Sequence, residues 1–229
     1  MTELDDKNAF ARLALTPRQL DNLTQLGYLA MTPVQAASLP AALAGDDLIV
    51  QASTGSGKTA AFALALLARL DVSLNAIQAL VLCPTRELAD QVASEVRRLA
   101  RSEDNVKTIT LVGGAALQGQ RASLAHGAHI VVGTPGRVLD HLTRDTLDLS
   151  ALKTLVLDEA DRMLDMGFHD DIAAIAKHCP AQRQTLLYSA TYPDGIAQLA
   201  QRFMRTPKTI KLAAQHAATK IEQRFYEVR

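Results

Sequence analysis

Leu-Ile-Val-Gln-Ala-Ser-Thr-Gly-Ser-Gly-Lys-Thr, which spans residues 48–59, is the stretch that decides the fold of this 229-residue chain. It begins with an apolar run typical of a strand, passes through two glycines and leads into the apolar run 60–67, which is typical of a helix. Because glycine adopts positive φ freely, the backbone between strand and helix can curl and present its amides at the positive end of the helix. These residues therefore predict an anion-binding loop in the first strand–loop–helix unit of a parallel sheet.

The rest of the chain repeats this alternation of short apolar runs and helical patterns. The predicted strands cover 48–50, 79–82, 108–112, 129–132, 154–157, 185–188 and 209–212, and a strand-like alternation follows at 221–228. The predicted helices cover 58–70, 87–101, 136–141, 171–178 and 196–205. Several strands are apolar at consecutive positions, as strands covered on both faces are. At this length we predict one α/β domain with a doubly wound, mostly parallel sheet.

The composition excludes several classes of protein. Lys and Arg together number 24, as do Asp and Glu, and 48% of the residues are hydrophobic, so neither disorder nor a broadly basic nucleic-acid surface is expected. No apolar run approaches the length of a membrane span. Cys83 and Cys179 have no His or Cys partner at metal-binding spacing, which argues against a zinc site or a disulfide framework. We predict a soluble, cytoplasmic monomer without a membrane partner.

The loop at 52–59 carries the groups that hold a nucleoside triphosphate. Lys58 supplies a cation for the β- and γ-phosphates, and the Thr59 hydroxyl is a suitable ligand for Mg²⁺. The residues before them offer backbone amides to the phosphates, namely Ser53, Thr54, Gly55, Ser56 and Gly57. Ala52 stands where the general pattern has glycine. The alternative interpretation is a glycine-rich turn at the start of a helix.

An acidic motif, Asp158-Glu159-Ala160-Asp161, ends the predicted strand 154–157. Asp158 is placed to complete the Mg²⁺ site opposite Thr59, as in other nucleotide hydrolases. Glu159 is a candidate general base, because it can polarise an attacking water. The alternative is an acidic helix N-terminus, which is stabilising by itself.

Polar clusters follow six of the predicted strands. They lie at 51–59, 84–87, 113–114, 134–137, 158–161 and 189–191. Parallel strands end at one edge of their sheet, and open α/β sheets bind ligands there. The six clusters together therefore predict one extended site.

Taken together, these motifs resemble those of the DEAD-box RNA helicases, and the resemblance covers almost the whole chain. The matching stretches are 27–35 (the Q motif), 84–88, 113–114, 134–137, 158–161 and 189–191. The resemblance implies a RecA-like P-loop fold and the ATP-dependent unwinding of short RNA duplexes, with ATP and Mg²⁺ as cofactors. The stretches 31–35, 80–92 and 158–168 are most similar to the bacterial DbpA-type subgroup, which is associated with ribosomal RNA.

The resemblance also implies contacts to the adenine base. Gln35 can read the N6 and N7 edge of adenine with its amide, and Thr32 can bind near the base or the phosphate loop. Phe10 lies 17 residues before Gly27, where the family places an aromatic ring that stacks on adenine. For Phe10 and Tyr28 the alternative is packing in the core.

RNA would be bound through its backbone, without sequence preference. The implied contacts are Pro84, Thr85, Arg86, Gly113, Gly114, Thr134, Pro135, Gly136 and Arg137. A structural ion pair is the alternative for Arg86, and a turn with a helix start is the alternative for 134–136. The implied coupling residues between nucleotide and RNA are Asp161, Ser189 and Thr191, for which turn and capping chemistry is the alternative.

The resemblance implies a division of the chain into a lead-in with the upstream aromatic (1–26), a first RecA-like domain (27–212), and the start of an interdomain linker or a last strand (213–229). The family's second RecA-like domain carries a His-Arg-x-Gly-Arg run, and these 229 residues contain none. We therefore expect a chain that binds nucleotide but is nearly inactive alone. The alternatives are a nucleotide-binding adaptor, a P-loop enzyme acting on DNA and a small-molecule kinase.

Overall fold

The computed structural model describes residues 9–212. Within them, seven strands form one sheet in the order β3-β4-β2-β5-β6-β1-β7, and every neighbouring pair is parallel. The strands are β1 (Leu48–Gln51), β2 (Ala79–Leu82), β3 (Thr108–Leu111), β4 (Ile130–Gly133), β5 (Thr154–Leu157), β6 (Gln184–Ser189) and β7 (Lys208–Lys211). This architecture confirms the predicted doubly wound α/β fold, and each predicted strand up to 212 is present within two residues of its expected bounds.

Helices connect the strands. They are α1 (Pro17–Gln25), α2 (Pro33–Ala44), α3 (Lys58–Leu67), α4 (Arg86–Leu99), α5 (Leu117–Ala125), α6 (Pro135–Thr143), α7 (Ala160–Asp165), α8 (His169–His178) and α9 (Asp194–Phe203), with short 3-10 turns at Phe10–Arg12 and Ala100–Ser102. None of the helices in the described residues is long and apolar enough to cross a lipid bilayer.

Four of these helices were absent from the sequence prediction. α1 and α2 have a signal that could have revealed them, since each begins with a capping box and a proline in its first turn. The boxes pair Thr16 with Gln19 and Thr32 with Gln35. α5 has no apolar stripe, because its one buried residue is Gln120, and α7 has only six residues. The strand-like alternation at 221–228 lies outside the described residues.

The sheet is covered on both faces, which explains its continuously apolar strands. Alternate residues of a strand point to opposite faces. On β5, Val156 belongs to one buried apolar cluster and its neighbour Leu155 belongs to the other. In the first cluster the rings of Phe62 and Tyr188 lie 5.4 Å apart between their centroids. The core therefore lies in two layers, one on each side of the sheet.

The segment before the Q motif packs against the rest of this domain. Phe10 and Leu23 are buried in the first apolar cluster. Asn22 of α1 donates to the carbonyl of Leu99 at 2.9 Å, and Gln19 donates to Glu103 at 3.2 Å. The lead-in from residue 9 onward is thus packed on α4 and the turn that follows it, and the proposed division at residue 26 stays a prediction.

The strand order brings the predicted motifs together. β6 lies between β1, which leads into the phosphate loop, and β5, which leads into the acidic motif. Because all strands are parallel, their carboxyl ends and the loops that follow them share one edge of the sheet. Ser189, the last residue of β6, therefore lies between the loop at 52–57 and the motif at 158–161.

Candidate active site

The glycine-rich loop after β1 curls around the side chain of Lys58. Gly55 and Gly57 have φ values of 78° and 93°, in the left-handed region that favours glycine. Ser56 donates from its hydroxyl to the carbonyl of Ser53 at 2.7 Å, which closes the turn. The ammonium of Lys58 is buried and donates to the carbonyl of Ala52 at 2.9 Å. The cation thus lies inside the loop, where the sequence predicted it.

Gln35 joins α2 directly to this loop. Its amide nitrogen donates to the carbonyl of Gly57 at 3.1 Å, while its amide oxygen accepts from the backbone of Thr32 at 2.9 Å. A Cβ atom on Gly57 would lie 2.7 Å from the Gln35 amide, so no other residue fits there without displacing that contact. The structure therefore places Gln35 and Thr32 beside the phosphate loop, and their contact with adenine stays a prediction.

A cavity of about 430 Å³ opens in front of the loop. It is lined by Tyr28, Thr54, Gly55, Gly57, Lys58, Thr59, Ala60, Leu88, Gln91, Val92, Glu95, Asp158 and Glu159. Tyr28 therefore shares this cavity with Thr54, Gly55, Gly57, Lys58, Thr59 and Asp158 of the predicted phosphate and Mg²⁺ site, whereas Ser53 and Ser56 do not line it. Phe10 does not line it: its ring is 5% exposed and meets the ring of Tyr28 edge-on at 6.4 Å between centroids. Stacking of Phe10 on adenine is a prediction that this packing does not support.

Asp158 is a buried carboxylate with a perturbed pKa. It follows β5 and is 3% exposed. Burial raises the pKa of Asp158 to about 6, although the nearby Lys58 cation opposes the shift. The adjacent Glu159 carboxylate adds to the rise in pKa. Because ionised Asp158 is disfavoured in the folded protein, the site is poised to receive a compensating cation.

We expect Asp158→Asn to raise the free energy of unfolding at pH 7 by about 2–3 kcal/mol, since one pKa unit corresponds to about 1.4 kcal/mol. The folded protein holds a proton on Asp158 up to about pH 6, whereas the ordinary pKa is 3.8. Wild-type stability is therefore lost as the pH rises through this window, and the asparagine variant escapes that loss. Urea unfolding at pH 4 and pH 7 measures it, with the exposed Asp165→Asn of α7 as control. A variant that is less stable than wild type at pH 7 would contradict the assignment.

Glu159 has an unusual backbone conformation for a residue with a side chain. Its φ and ψ are 51° and 52°, in the left-handed region. Such strain at a non-glycine residue persists where the surrounding structure enforces it, and it occurs often in active sites. The side chain lies against the cavity and accepts a hydrogen bond from Arg162 at 3.3 Å. The separate roles assigned to Glu159 and Asp158 stay predictions.

These residues fit a magnesium–nucleotide complex. In such sites Mg²⁺ keeps several waters and takes one or two protein oxygens beside those of the phosphates. Asp158 and Thr59 offer the protein oxygens from one cavity, and Lys58 offers a cation to the phosphates. Among residues 9–212 no group of three or more His, Cys, Asp or Glu side chains is arranged to hold a metal. An ion held mainly by phosphates and water does not need such a group.

Hydrogen bonds join Asp161 to Ser189 and Thr191, and the coupling of nucleotide and RNA through these residues stays a prediction. The carboxylate of Asp161 accepts from the backbone and the hydroxyl of Thr191 at 2.8 and 2.9 Å. Its backbone donates to the hydroxyl of Ser189 at 3.2 Å. Burial raises the pKa of Asp161, but the hydrogen bonds from Thr191 and Ser189 outweigh it and hold the pKa below its ordinary value. The ends of β5 and β6 are therefore tied together by an ionised carboxylate.

The predicted RNA-contacting loops lie beside one another at the same edge of the sheet. Arg86 is exposed and donates to the carbonyl of Gly113 at 3.2 Å. A Cβ atom on Gly114, whose φ is 77°, would lie 2.0 Å from the Arg86 guanidinium. Arg137 donates to the carbonyl of Ala115 at 3.0 Å. The two arginines therefore bind the loop at 113–115, and Arg86 also lies 3.9 Å from Glu87 in a weak, exposed ion pair.

The other residues predicted to contact RNA begin helices. Thr85 caps α4 by accepting from the backbone of Leu88 at 3.3 Å. Thr134 precedes α6 and leaves the cap without a side-chain hydrogen bond, while Pro135 is buried and Gly136 is exposed. Pro84 is buried as well. The helix-start alternative is thus correct for the local structure, and it leaves the amide ends of α4 and α6 at the candidate RNA surface.

Sequence reasoning missed a stripe of α4 that forms one wall of the cavity. It comprises Leu88, Gln91, Val92 and Glu95, which follow the i, i+3, i+4, i+7 spacing of one helix face. The polar residues Gln91 and Glu95 on this face of the helix were the signal that could have revealed it. The hydroxyl of Tyr28 donates to Glu95, so the Q-motif segment is also tied to this helix. Arg162, beside Glu159, and Gln120, behind the loop at 113–114, were missed as well.

Comparisons with known proteins agree with this geometry. The family model described as DEAD/DEAH box helicase matches residues 32–199. The chain is 60% identical to the ATP-dependent RNA helicase DbpA of Escherichia coli (strain K12), over 96% of this chain and 48% of that protein. It is 46% identical to the ATP-dependent RNA helicase CshA of Listeria monocytogenes, over 96% of this chain and 42% of that protein. The chain therefore spans about half the length of the curated relatives it matches.

A solved structure has the same fold. The crystal structure of a DEAD box protein from the hyperthermophile Methanococcus jannaschii matches with a TM-score of 0.85 and 41% identity. The match covers 89% of this chain and 56% of that chain. It confirms the predicted RecA-like architecture.

Proposed function

Because the chain belongs to the DEAD/DEAH box helicase family, we propose that it is the ATP- and RNA-binding first RecA-like domain of an ATP-dependent RNA helicase. The observation that carries the proposal is the single cavity that brings Lys58 and Thr59 together with Asp158 and Glu159. The side chain of Gln35, to which the family resemblance assigns the adenine contact, lies beside the phosphate loop, and this supports adenine nucleotides as the ligand.

The residues of the cavity have different roles in ATP hydrolysis. The loop amides and Lys58 would hold the β- and γ-phosphates, and Thr59 and Asp158 would hold Mg²⁺, which would neutralise charge on the phosphate oxygens. Glu159 accepts a proton from the water that attacks the γ-phosphorus, while the bond between the γ-phosphorus and the β–γ bridging oxygen breaks and ADP leaves. Arg162 holds the Glu159 carboxylate before ATP and water are in place. The chemistry thus depends on positioning and charge more than on covalent catalysis.

RNA lies on the three neighbouring loops after β2, β3 and β4. Arg86, the glycines at 113–114 and the exposed Gly136 in the first turn of α6 offer guanidinium and amide donors to sugar–phosphate oxygens. Such contacts do not read bases, so we propose binding without sequence preference. The link from Asp161 to Thr191 supports coupling between the nucleotide site and the element that follows β6.

The target and the setting are inferred from relatives and from composition. The similarity to DbpA supports a role in ribosome assembly, in which the whole protein would open short duplexes of ribosomal RNA. Cys83 and Cys179 are both free and buried, which is compatible with a reducing cytoplasm. We propose a monomer that closes on ATP and RNA together with a second RecA-like domain.

Removal of the phosphate-binding cation tests the nucleotide site. We expect Lys58→Ala to weaken ATP and ADP binding about 10- to 100-fold, because a hydrogen bond to a charged group contributes about 1.5–3 kcal/mol. Titration with a fluorescent adenine nucleotide measures the change. Lys153→Ala is the matched control, since Lys153 also donates to a backbone carbonyl, at 3.3 Å, but stands just before β5 at the opposite edge of the sheet. Equal affinities of wild type and Lys58→Ala would contradict the proposed site.

The stimulation of ATP hydrolysis by RNA or by DNA tests which nucleic acid the protein acts on. The chain joined to a second RecA-like domain is expected to hydrolyse ATP faster with single-stranded RNA than with DNA of the same sequence. Equal stimulation by DNA would favour a DNA-directed P-loop enzyme, and nucleotide binding without any stimulated hydrolysis would favour an adaptor. The intact set of Lys58, Asp158 and Glu159 supports the enzyme over the adaptor.

A further inference from the structure

A buried side-chain network lies behind the glycine loop that is proposed to contact RNA. Its centre is Gln120 of α5, which is 8% exposed. The amide oxygen of Gln120 lies 3.1 Å from a guanidinium nitrogen of Arg137 and 3.0 Å from Nε2 of His141. The amide nitrogen of Gln120 donates to the carbonyl of Val112 at 2.9 Å. One glutamine therefore connects the loop after β3 with the helix after β4.

The network fixes the protonation state of its histidine. Burial and the neighbouring Arg137 lower the pKa of His141, so the ring is neutral at pH 7. Since the oxygen of Gln120 can only accept, Nε2 of His141 carries the proton and donates to it. The other ring nitrogen lies 2.8 Å from the hydroxyl of Thr146. Both ends of the ring are thus satisfied, and Gln120 is held in one orientation.

Three side chains bind carbonyl groups along the loop. Gln120 binds the carbonyl of Val112, Arg86 binds that of Gly113, and Arg137 binds that of Ala115. A trans peptide directs its N–H opposite to its C=O. With the carbonyls of residues 112 and 113 held by these side chains, the amides of Gly113 and Gly114 point away from them. Gly114 is exposed and Gly113 is partly exposed.

We propose that Gln120 is a positioning residue of the RNA site, which aims the amides of Gly113 and Gly114 at a backbone phosphate and holds Arg137 beside them. This inference rests on the proposed function, because it assigns the RNA-binding competence of the loop to a buried residue that does not touch RNA. Gln120 orients the peptide between residues 112 and 113. Without it the loop loses one of its three internal anchors, and Arg137 loses a buried acceptor.

The test separates positioning from stability. In Gln120→Leu, which keeps the volume and removes every hydrogen bond, the affinity for a labelled single-stranded RNA is expected to fall about tenfold. The affinity for a fluorescent adenine nucleotide should not change, because the cavity lies elsewhere. The control is Leu124→Ala on the same helix, which removes apolar packing without touching the loop and should lower the melting temperature while leaving RNA affinity unchanged. RNA binding is followed by fluorescence anisotropy, and the amide NMR signals of Gly113 and Gly114 are recorded without RNA.

The outcomes distinguish this inference from the proposed function. Loss of RNA affinity in Gln120→Leu, with shifted signals of Gly113 and Gly114 and unchanged nucleotide affinity, supports it. Unchanged RNA affinity in Gln120→Leu, or an equal loss in Leu124→Ala, overturns it while leaving the proposed function intact. A wild-type chain that binds no RNA would contradict the proposed function itself, and this inference with it. Gln120→Glu, which lacks the donor to Val112 but keeps acceptors for Arg137 and His141, should behave like Gln120→Leu if the loop contact is decisive.

Discussion

Glu159→Gln is expected to slow ATP hydrolysis about 10²–10⁴-fold in a protein that contains both RecA-like domains, which is the range of general-base contributions. Glutamine has nearly the same shape as glutamate and keeps a polar group at the cavity, but it does not accept a proton at neutral pH. Nucleotide affinity should therefore be unchanged. Single-turnover hydrolysis at saturating ATP and RNA measures the effect on chemistry alone. Asp165→Asn, an exposed carboxylate on the same helix, is the control.

A second substitution at this position separates catalysis from backbone strain. The left-handed conformation of Glu159 costs about 1–2 kcal/mol for a residue with a Cβ atom. Glu159→Gly removes that strain, so we expect it to keep or raise the free energy of unfolding while hydrolysis falls as in Glu159→Gln. Urea unfolding of the three proteins gives the comparison. Hydrolysis near the wild-type rate in both variants would show that another group takes the proton.

The second large effect depends on the arginine finger, which the family's second RecA-like domain carries. We expect the 229-residue chain alone to hydrolyse ATP about 10³–10⁵-fold more slowly than the same chain joined to a second RecA-like domain with an arginine finger. Lys58 binds the phosphates in the ground state, but charge that develops in the transition state needs a further cation. Saturating ATP in both measurements removes the effect of weaker binding by the single domain.

The control is a joined protein whose finger arginine is replaced by alanine, and it should be as slow as the single domain. If the single domain were comparably fast, a cation within the chain would have to act in its place. Arg162 is the candidate, because its guanidinium lies 3.3 Å from the Glu159 carboxylate at the cavity. Arg162→Ala would then lower the rate of the single domain.

The motifs proposed to bind phosphate and magnesium could be recognised from the sequence because their chemistry limits the residue types. A curled loop requires glycine at 55 and 57, and a cation inside it requires a residue such as Lys58. The strand ends were predictable as well, since consecutive apolar residues mark strands covered on both faces. The proximity of Asp158, Asp161 and Ser189 then followed from the parallel sheet.

Other features of the site could not be predicted from the sequence. A glutamine in a polar helix has many roles, so nothing singled out Gln120 before its three partners were visible. The strain at Glu159 was hidden, because residues with side chains rarely adopt that conformation. The position of Phe10 depended on packing against Tyr28, which periodicity does not report. These features arise from tertiary contacts, and local sequence patterns do not encode them.

Among residues 9–212, β7 is an edge strand of the sheet and pairs with β1 on its inner side. Its residues read Lys-Thr-Ile-Lys and are mostly exposed. Lysines at both ends of a short edge strand oppose the approach of a second strand, since each added chain would bring like charges together and desolvate them. The strand is therefore protected against edge-to-edge aggregation. Such protection matters for a chain with no net charge, because proteins near zero net charge associate readily.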